Sequence, residues 1–288
     1  MADEQPYTQT ARLTGFLGWP DGRRPPDDDP AENFHEASKN VPGVPSPVAP
    51  AAASLIADPS RGVPGATAAR PVRRNLVLPT VDLPAPELGP ADLGEQIQAR
   101  RSRRSFGTDP VSLQDLSTIL HAGYGVTARP DESAPHPNRR SVPSGGGLYP
   151  LEIFIAARNV DGLEQGLYHY DPHRAQLEDM RHEDVSRALR ELLIELPQLP
   201  DMSATCGAIV FIAGAFWRTR FKYGLRGYRW ALIEAGHVGQ NMLLSSGAVG
   251  LNAFPFGGFW DGRVDQYLGL DGVNESIVYS VILGSPGD

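Results

Sequence analysis

The sequence predicts an α+β domain preceded by a proline-rich arm, and three observations support this class. Short apolar runs with strand character recur at Leu151–Asn159, Ala208–Phe216 and Glu275–Gly284. Segments with apolar residues on one helical face lie between them. A hairpin pattern, GLYHYDPHRAQLEDM, argues against a purely parallel sheet, so strands and helices are mixed rather than strictly alternating.

The arm is predicted for residues 1–90, which hold 16 of the 27 prolines. Because proline fixes φ and lacks an N–H, a long helix or a central strand does not fit there. The composition favours a partly ordered arm. An arm that packs along a partner subunit or binds a peptide is the alternative. The folded domain is then residues 91–288.

The first helices of the domain are predicted from spacing. Leu93 and Ile97 indicate a short helix before the arginines. The run VSLQDLSTILHAGYG places four apolar side chains on one helical face: Leu113, Leu116, Ile119 and Leu120. Ser112 is the expected N-cap of this helix and Gly123 its expected end.

The remaining elements follow the same patterns. In the hairpin, Asp171-Pro172 opens the turn. A helix is expected over Glu183–Leu196 and ends before Pro197, and a long helix over Tyr228–Gly247. The long helix carries small residues at three- and four-residue spacing: Ala231, Ala235, Gly236 and Gly239. They let another backbone approach closely, in a buried central helix or in a dimer interface, and spacing does not separate the two.

Composition limits the possible functions. The net charge of -8 argues against nucleic acid or anionic membrane as a partner. The one cysteine, Cys206, excludes an intramolecular disulfide and a cysteine-rich metal site. No apolar run is long enough for a membrane helix and the first residues lack the pattern of a signal peptide, so we expect a soluble cytoplasmic protein without a metal.

Three motifs have residue types that fit a flat anionic ligand. In QARRSRRSF, forked guanidinium groups suit a phosphate, with an exposed basic turn as the alternative. In PSGGGLYP, three glycines expose backbone N–H groups and admit a flat ring, with a mobile loop as the alternative. In NAFPFGGFWD, Gly257 and Gly258 interrupt an aromatic wall, with a core corner as the alternative.

A fourth motif, FKYGLRGYRW, contains Lys222, one of only two lysines in a chain with 24 arginines. A lysine can lose its proton when burial or nearby cations lower its pKa, whereas an arginine essentially cannot. Arg218, Arg220, Arg226 and Arg229 are the nearby cations. The alternative is a surface lysine in a glycine-rich loop. Histidines show no metal-binding spacing, and His237 is expected to be structural.

Together and in this order, the first three motifs resemble the nitroreductase-like flavoproteins, and within them the SagB-type azoline dehydrogenases. FKYGLRGYRW with EAGHVGQN, GLYHYDP and FHEASKN are also similar to segments of that subgroup. The similarity covers roughly Ala91 to Gly284. It implies a nitroreductase-like mixed sheet flanked by helices and a homodimer that binds FMN at the subunit interface.

The resemblance also implies residue roles. The FMN phosphate and ribityl chain would contact Arg100, Arg101, Ser102 and Arg104. The flavin ring would contact Ser144, Gly145, Gly146 and Gly147, and its reactive edge Gly257 and Gly258. Lys222 and Tyr223 match the catalytic Lys-Tyr pair of the subgroup. Gly147 and Tyr149 stand where plain nitroreductases have Asn and Gln, which favours the azoline subgroup.

The implied reaction oxidises thiazolines and oxazolines of a peptide to thiazoles and oxazoles, with Lys222 as base and Tyr223 assisting. The substrate peptide is a partner, and a cyclodehydratase or a carrier protein is a further candidate. A generic FMN reductase or nitroreductase that uses NAD(P)H is the first alternative. A non-catalytic subunit of a peptide-modifying complex, docked through residues 1–90, is the second.

Overall fold

The computed structural model describes residues 30–39, 78–128, 139–194 and 200–287, apart from the side chain of Glu32. The chain divides into two compact units at Val44. The first contributes one described element, helix α1 (Pro30–Ala37). Most of the predicted arm, residues 1–29 and 40–77, lies outside the described residues, and so does Pro197.

The second unit is built on a seven-stranded sheet in the order β1-β8-β7-β5-β9-β11-β10. All neighbouring strands in it are antiparallel. Its strands are β1 (Thr80–Asp82), β5 (Leu151–Ala157), β7 (Gly166–Asp171), β8 (Gln176–His182), β9 (Ala208–Ala215), β10 (Asn252–Phe256) and β11 (Glu275–Gly284). The α+β class is confirmed, and the parallel pairing seen in the described residues lies outside this sheet.

Two small pairs of strands complete the β-structure. β2 (Val111–Ser112) pairs in parallel with β6 (Val160–Asp161), and β3 (Val126–Ala128) pairs antiparallel with β4 (Arg139–Arg140). The helices of this unit are α2 (Leu93–Ala99), α3 (Leu113–Tyr124), α4 (Val185–Leu192), α5 (Met202–Thr205), α6 (Trp217–Tyr223), α7 (Arg226–Ala248) and α8 (Asp261–Leu268).

Side chains on the two faces of the central strands enter two separate apolar cores. Ile153 and Ile155 pack with α3 and α7 on one face of the sheet. Phe154 and Ala156 pack with α4 and α8 on the other. Covering both faces explains why β5 is continuously apolar from Ile153 to Ala157 rather than alternating. Each fully buried aliphatic side chain of this kind stabilises the fold by roughly 1.5–3 kcal/mol.

The structure confirms most predicted elements and corrects one helix end. The Ser112 Oγ atom caps α3 by accepting from the Asp115 N–H at 3.0 Å. The helix continues past Gly123 and ends at Gly125. Gly123 is instead a packing position, because a β-carbon there would lie 2.6 Å from the Met242 Cε atom of α7. The prediction of Gly123 as a stop was therefore wrong.

The long helix α7 is a buried central helix along one face. Gly239 packs under Tyr279 of β11, where a β-carbon would lie 2.6 Å from the ring. Gly236 is exposed, and no described residue lies within 4 Å of the position that a β-carbon there would occupy. Gly239 thus allows close packing in the interior, whereas Gly236 lies on the exposed side of the helix.

Helix α4 and strand β1 differ from the predicted boundaries. Helix α4 begins at Val185 with Asp184 as its N-cap and ends by Leu192, so it is shorter than the predicted span. The edge strand β1 lies on the arm side of the predicted boundary at residue 90. Among the described residues, none of the helices has the length and apolar character needed to cross a bilayer.

Candidate functional site

The glycine turn takes a conformation that needs glycine at two positions. Residues Gly145–Gly147 form one turn of 3-10 helix, and Gly146 and Gly147 have φ angles of 68° and 66°. Side chains rarely adopt such angles, because the β-carbon crowds the backbone. Ser144 holds the turn in place by accepting a hydrogen bond from the Tyr149 N–H at 2.8 Å.

Tyr149, which follows the turn, also has a left-handed φ angle of 45°. Two buried arginines hold it there. The Arg218 Nη1 atom donates to the Tyr149 carbonyl at 3.0 Å, and the backbone N–H of Arg140 donates to the Tyr149 hydroxyl at 3.1 Å. The Arg140 guanidinium lies 4.8 Å from the Tyr149 ring centre. A strained residue over-determined in this way is typical of a ligand-binding segment.

Arg218 belongs to a buried ionic network that ties helix α6 to the sheet. It is fully buried and donates through Nη2 to the carboxylate of Glu152 on β5. Glu152 also contacts His169 Nε2 at 2.7 Å, and His169 Nδ1 contacts Glu178 at 3.1 Å. Burial alone lowers the pKa of His169, but hydrogen bonds to the two glutamates outweigh it and raise the pKa to about 9. Two cations and two carboxylates then balance in the interior.

Lys222 and Tyr223 lie at the end of α6, one turn after Arg218, and face the glycine turn. A β-carbon at Gly146 would lie 2.5 Å from the Tyr223 hydroxyl and 2.8 Å from the Lys222 Nζ atom. Both side chains are half-buried. The structure therefore brings two predicted sets together within one chain, and Lys222 is on a helix rather than in a glycine-rich loop.

The glycine turn and Tyr223 border a cavity of about 290 Å³, close to the lower limit for small-molecule sites. Its other walls come from the first half of α7. The residues that line it are Pro143, Ser144, Gly145, Tyr223, Trp230, Ile233, Glu234 and His237. Trp230 packs against Gly145, where a β-carbon would lie 3.3 Å from the indole. The absence of side chains on the turn therefore lets Trp230 pack directly against it, and the indole forms an aromatic wall of the cavity.

Glu234, the first residue of the EAGHVGQN segment, is an ionisable residue of this cavity to which the sequence analysis assigned no role. It is 2% exposed and accepts a hydrogen bond from the Tyr124 hydroxyl at 2.9 Å. Its Oε2 atom is buried and has no hydrogen-bond partner among the described residues. Burial raises the pKa of Glu234 to about 7, although Ser144 and Tyr124 act in the opposite direction. Its burial could have been inferred from its position on the same helical face as Ala231, Ala235 and Val238.

The arginine segment lines a different cavity, of about 270 Å³, at the other end of α7. Arg100, Arg101 and Arg103 border it together with Leu243, Gly247 and residues 250–253. Ser102 accepts a hydrogen bond from Arg100 at 3.5 Å. Arg104 lies over the Phe254 ring, 4.6 Å from its centre, and is not one of the residues that line this cavity, whereas Arg103 is. This cavity shares no lining residue with the glycine cavity.

Gly257 and Gly258 lie after β10, next to the end of α4. The Gly258 carbonyl accepts a hydrogen bond from Ile194 at 2.7 Å, and a β-carbon at Gly258 would lie 2.7 Å from the Phe256 ring. Gly257 is exposed. Neither glycine lines one of the two cavities described above.

Comparisons with known proteins agree with this fold. The Nitroreductase family profile matches residues 97–285. The nitroreductase-like protein MJ1384 of Methanocaldococcus jannaschii is 34% identical over 194 residues, covering 66% of this chain and 90% of the relative. In structure, a nitroreductase-like protein of Anabaena variabilis has a TM-score of 0.59 and 26% identity, over 73% of this chain and 42% of its own.

Two further similarities concern peptide-processing proteins. The microcin B17-processing protein McbC of Escherichia coli is 33% identical over 145 residues, which is 48% of this chain and 52% of McbC. The chain thus spans about half the length of this relative. The Escherichia coli microcin synthetase McbBCD complex, solved with truncated pro-MccB17 bound, matches 90% of this chain and 92% of its own with a TM-score of 0.55. At 22% identity, that match shows the fold alone.

Replacing Gly146 by alanine tests the contact with the Lys-Tyr pair. The new β-carbon displaces the Lys222 amine, so we expect Lys222 to react several-fold faster with an acylating reagent, measured by mass spectrometry. Gly250→Ala is the matched control, because Gly250 also has a positive φ (78°) but open space around it. Lys39 serves as an internal reference. Equal labelling of Lys222 in both variants would contradict the contact.

The pH dependence of stability tests the buried state of Glu234. Its pKa is raised from 4.5 to about 7, so the folded protein binds this proton more tightly than the unfolded chain. The contribution of Glu234 to the free energy of unfolding is therefore largest below pH 4.5, and it falls by up to ~3 kcal/mol as the pH rises to about 7. Denaturant unfolding should show that, over this pH range, the free energy of unfolding of the wild type falls by that amount relative to the free energy of unfolding of Glu234→Gln. The exposed Glu191→Gln serves as control, and a pH-independent difference would refute the assignment.

Proposed function

The chain belongs to the nitroreductase family, and on that premise we propose that it is an FMN-dependent dehydrogenase that oxidises thiazolines or oxazolines of a peptide to thiazoles or oxazoles. The observation that carries the proposal is that Lys222 and Tyr223 pack against the glycine turn, beside a cavity that Tyr223 and Gly145 line. Family membership supports an oxidoreductase, and nitroreductase family proteins typically bind flavin.

The peptide substrate is supported by two relatives. McbC processes microcin B17, and TfxB of Rhizobium leguminosarum bv. trifolii, 28% identical over 148 residues, processes trifolitoxin. The latter match covers 50% of this chain and 39% of TfxB. Both names describe maturation of a peptide, which supports a peptide-modifying role here. The microcin synthetase structure is of a complex, so we extend the proposal to an assembly partner such as a cyclodehydratase.

The residues present fit FMN. The glycine turn borders a cavity of about 290 Å³, and Trp230 supplies an aromatic wall of that cavity. We propose that Ser144 and Gly145–Gly147 contact the flavin ring. Arg100 and Arg101 line a cavity edged by backbone at residues 250–253, and forked guanidinium groups there suit a phosphate. Ser102 and Arg104 complete the proposed phosphate and ribityl contacts. Bound FMN would supply a two-electron acceptor for a hydride.

The chain's own residues would handle the proton. Azoline oxidation removes a proton from one ring carbon and a hydride from its neighbour. Lys222, in its neutral form, is positioned to take the proton, and Tyr223 orients the ring or shares the proton. The Lys222 amine lies 5.3 Å from the centre of the Tyr223 ring, so the two groups can act on one ligand. Bound FMN would take the hydride, and loss of the proton and the hydride would leave the ring aromatic.

A second copy of the chain would complete the site. In one chain, the arginines and the glycine turn border different cavities, and Gly257 and Gly258 border neither. A homodimer that packs through α6 and α7 would bring such sets together across the interface. Large apolar side chains are exposed on these helices and at their junction: Trp217, Phe221, Leu225, Leu232 and Ile233. A contiguous apolar surface of this kind is typical of an interaction site.

Lys222→Ala tests the proposed base. Protein loaded with FMN is mixed without oxygen with a thiazoline-containing peptide, and the loss of the blue absorption of oxidised flavin is followed. We expect the wild type to bleach and to yield a thiazole, and the variant to bleach at least ~100-fold more slowly while retaining FMN. Lys39→Ala, at the other lysine, is the control. Full-rate bleaching by Lys222→Ala would overturn the assignment of Lys222 as base.

A generic flavin reductase is the second candidate, favoured by the similarity that covers 90% of the nitroreductase-like protein MJ1384. The same anaerobic assay separates the two functions. Rapid bleaching by NADPH, with none by the azoline peptide, would favour the reductase. A protein that cannot be loaded with FMN would instead favour a non-catalytic subunit.

Leu232→Arg tests the dimer. A charge in the centre of the proposed interface should shift the mass measured by light scattering from twice 31.1 kDa to that of a single chain and should weaken FMN retention. Val273→Arg, at an exposed apolar residue outside these helices, is the control. If wild type and both variants share one molar mass, the interface lies elsewhere or does not form.

A further inference from the structure

The cavity contains an acid–base group beyond the Lys-Tyr pair. Glu234 lines the same cavity as Tyr223 and Gly145. A buried carboxyl group on the inner face of a helix is costly unless it is fully hydrogen-bonded. Glu234 has only one of its two oxygens bonded, since Oε2 has no partner among the described residues. Packing alone does not account for a carboxyl group in this position.

The contact with Tyr124 has a defined direction. The Leu151 N–H donates to the Tyr124 hydroxyl oxygen at 3.0 Å. The hydroxyl proton is therefore free to point at Glu234 Oε1, 2.9 Å away, and Tyr124 donates to the carboxyl group. Burial and the Glu234 charge raise the pKa of Tyr124 well above its usual value, so the phenol keeps its proton. Tyr124 thus stabilises the ionised form of Glu234 and leaves Oε2 to exchange a proton.

Charged and polar groups surround Glu234 on every element packed against it. Arg140 of β4 and Arg218 of α6 favour the carboxylate, as do Tyr124 of α3 and Ser144 of the glycine turn. Burial opposes them and prevails. On α7, His237 lies one turn further along the same helical face, lines the cavity and is exposed. A buried carboxyl group and an exposed imidazole thus border one space.

We propose that Glu234 is a proton-transfer residue of this site, which receives the proton that the Lys-Tyr pair removes from the substrate and returns it to solvent past His237. The inference rests on the proposed function. Per turnover, one ring carbon would give its proton to the Lys222 amine, and bound FMN would supply the acceptor for the hydride of the neighbouring carbon. The ammonium then passes the proton to the Glu234 carboxylate, which becomes a carboxylic acid and releases the proton to water.

A purely structural role for Glu234 makes different predictions. If Glu234 only anchors Tyr124, removing its charge changes stability but not the pH dependence of the reaction. If it accepts the proton, the reaction needs its ionised form, so the rate rises with pH through the pKa of Glu234, about 7. Tyr124→Phe removes a hydrogen bond that favours the carboxylate, so it should move this limb to higher pH without abolishing it.

The experiment uses the FMN-loaded protein and a thiazoline peptide in anaerobic single turnover between about pH 5 and about pH 9. In the wild type, we expect the single-turnover rate to rise with pH near pH 7. In Glu234→Gln the limb should be absent and the rate at least ~10-fold lower, with FMN retained. Glu234→Asp should restore part of the rate. Glu191→Gln, at an exposed carboxylate on α4, is the control and should match the wild type.

A second readout does not depend on turnover. Carbon-13 NMR of the glutamate carboxyl groups, in protein with and without FMN, should show one group that titrates near pH 7 in the wild type and is missing in Glu234→Gln. If Glu234→Gln fails to fold, the rate profile of Tyr124→Phe is used instead. A rise in rate that moves to higher pH supports the proposal, and a rise at the same pH as in the wild type overturns it.

The outcomes separate the two proposals. Wild-type protein that holds FMN but takes no electrons from any azoline overturns the proposed function, and the role of Glu234 with it. Wild type that oxidises the azoline while Glu234→Gln keeps the rising limb and the full rate overturns the role of Glu234 alone.

Discussion

A buried arginine joins the parts of this molecule that the site needs. Arg218 donates to the Tyr149 carbonyl and to the Glu152 carboxylate, and it lies one helical turn before Lys222. A guanidinium with no exposed surface would be strongly destabilising without compensating charge. Glu152 and Glu178 supply the compensating charge, and His169, the second cation, links the two carboxylates across strands β5, β7 and β8. The position of helix α6 is therefore set by electrostatics in the core, not only by apolar packing.

The geometry of the cavity follows from that constraint. Because Arg218 binds the Tyr149 carbonyl, Tyr149 is held in its left-handed conformation next to the glycine turn. Because the same arginine is on α6, the Lys222 amine and the Tyr223 hydroxyl are placed against Gly146. The proposed base and the surface proposed for the flavin ring thus share one buried support. Glu234 adds a second, independent acid–base group from α7.

Local patterns in the sequence predict much of the fold. The apolar runs become β5, β9 and β11, and Ser112 caps α3 as its position indicates. Gly123 misleads because a glycine near a helix end can serve packing as well as termination, and only the tertiary contact with Met242 separates the two. Helix α6 is missed because its seven residues, WRTRFKY, show no clear apolar face.

The site is less predictable because it depends on contacts between distant segments. Motif resemblance selects Gly146 and Lys222 separately, but their contact exists only after β5, β9 and α6 have packed. Glu234 is missed because a single glutamate on a helix usually faces solvent, and its burial depends on α3 and the glycine turn. The separate arginine cavity cannot be anticipated from spacing, since Arg103 rather than Arg104 turns towards it.

The most direct measurement of the central claim is a crystal structure of the protein with FMN bound. We predict that the flavin ring lies against Gly145–Gly147 of one copy, with the Lys222 amine and the Tyr223 hydroxyl of that copy beside it, and that Arg100 and Arg101 of the second copy bind the phosphate. A flavin ring bound away from the glycine turn, with Lys222 directed to solvent, would contradict it.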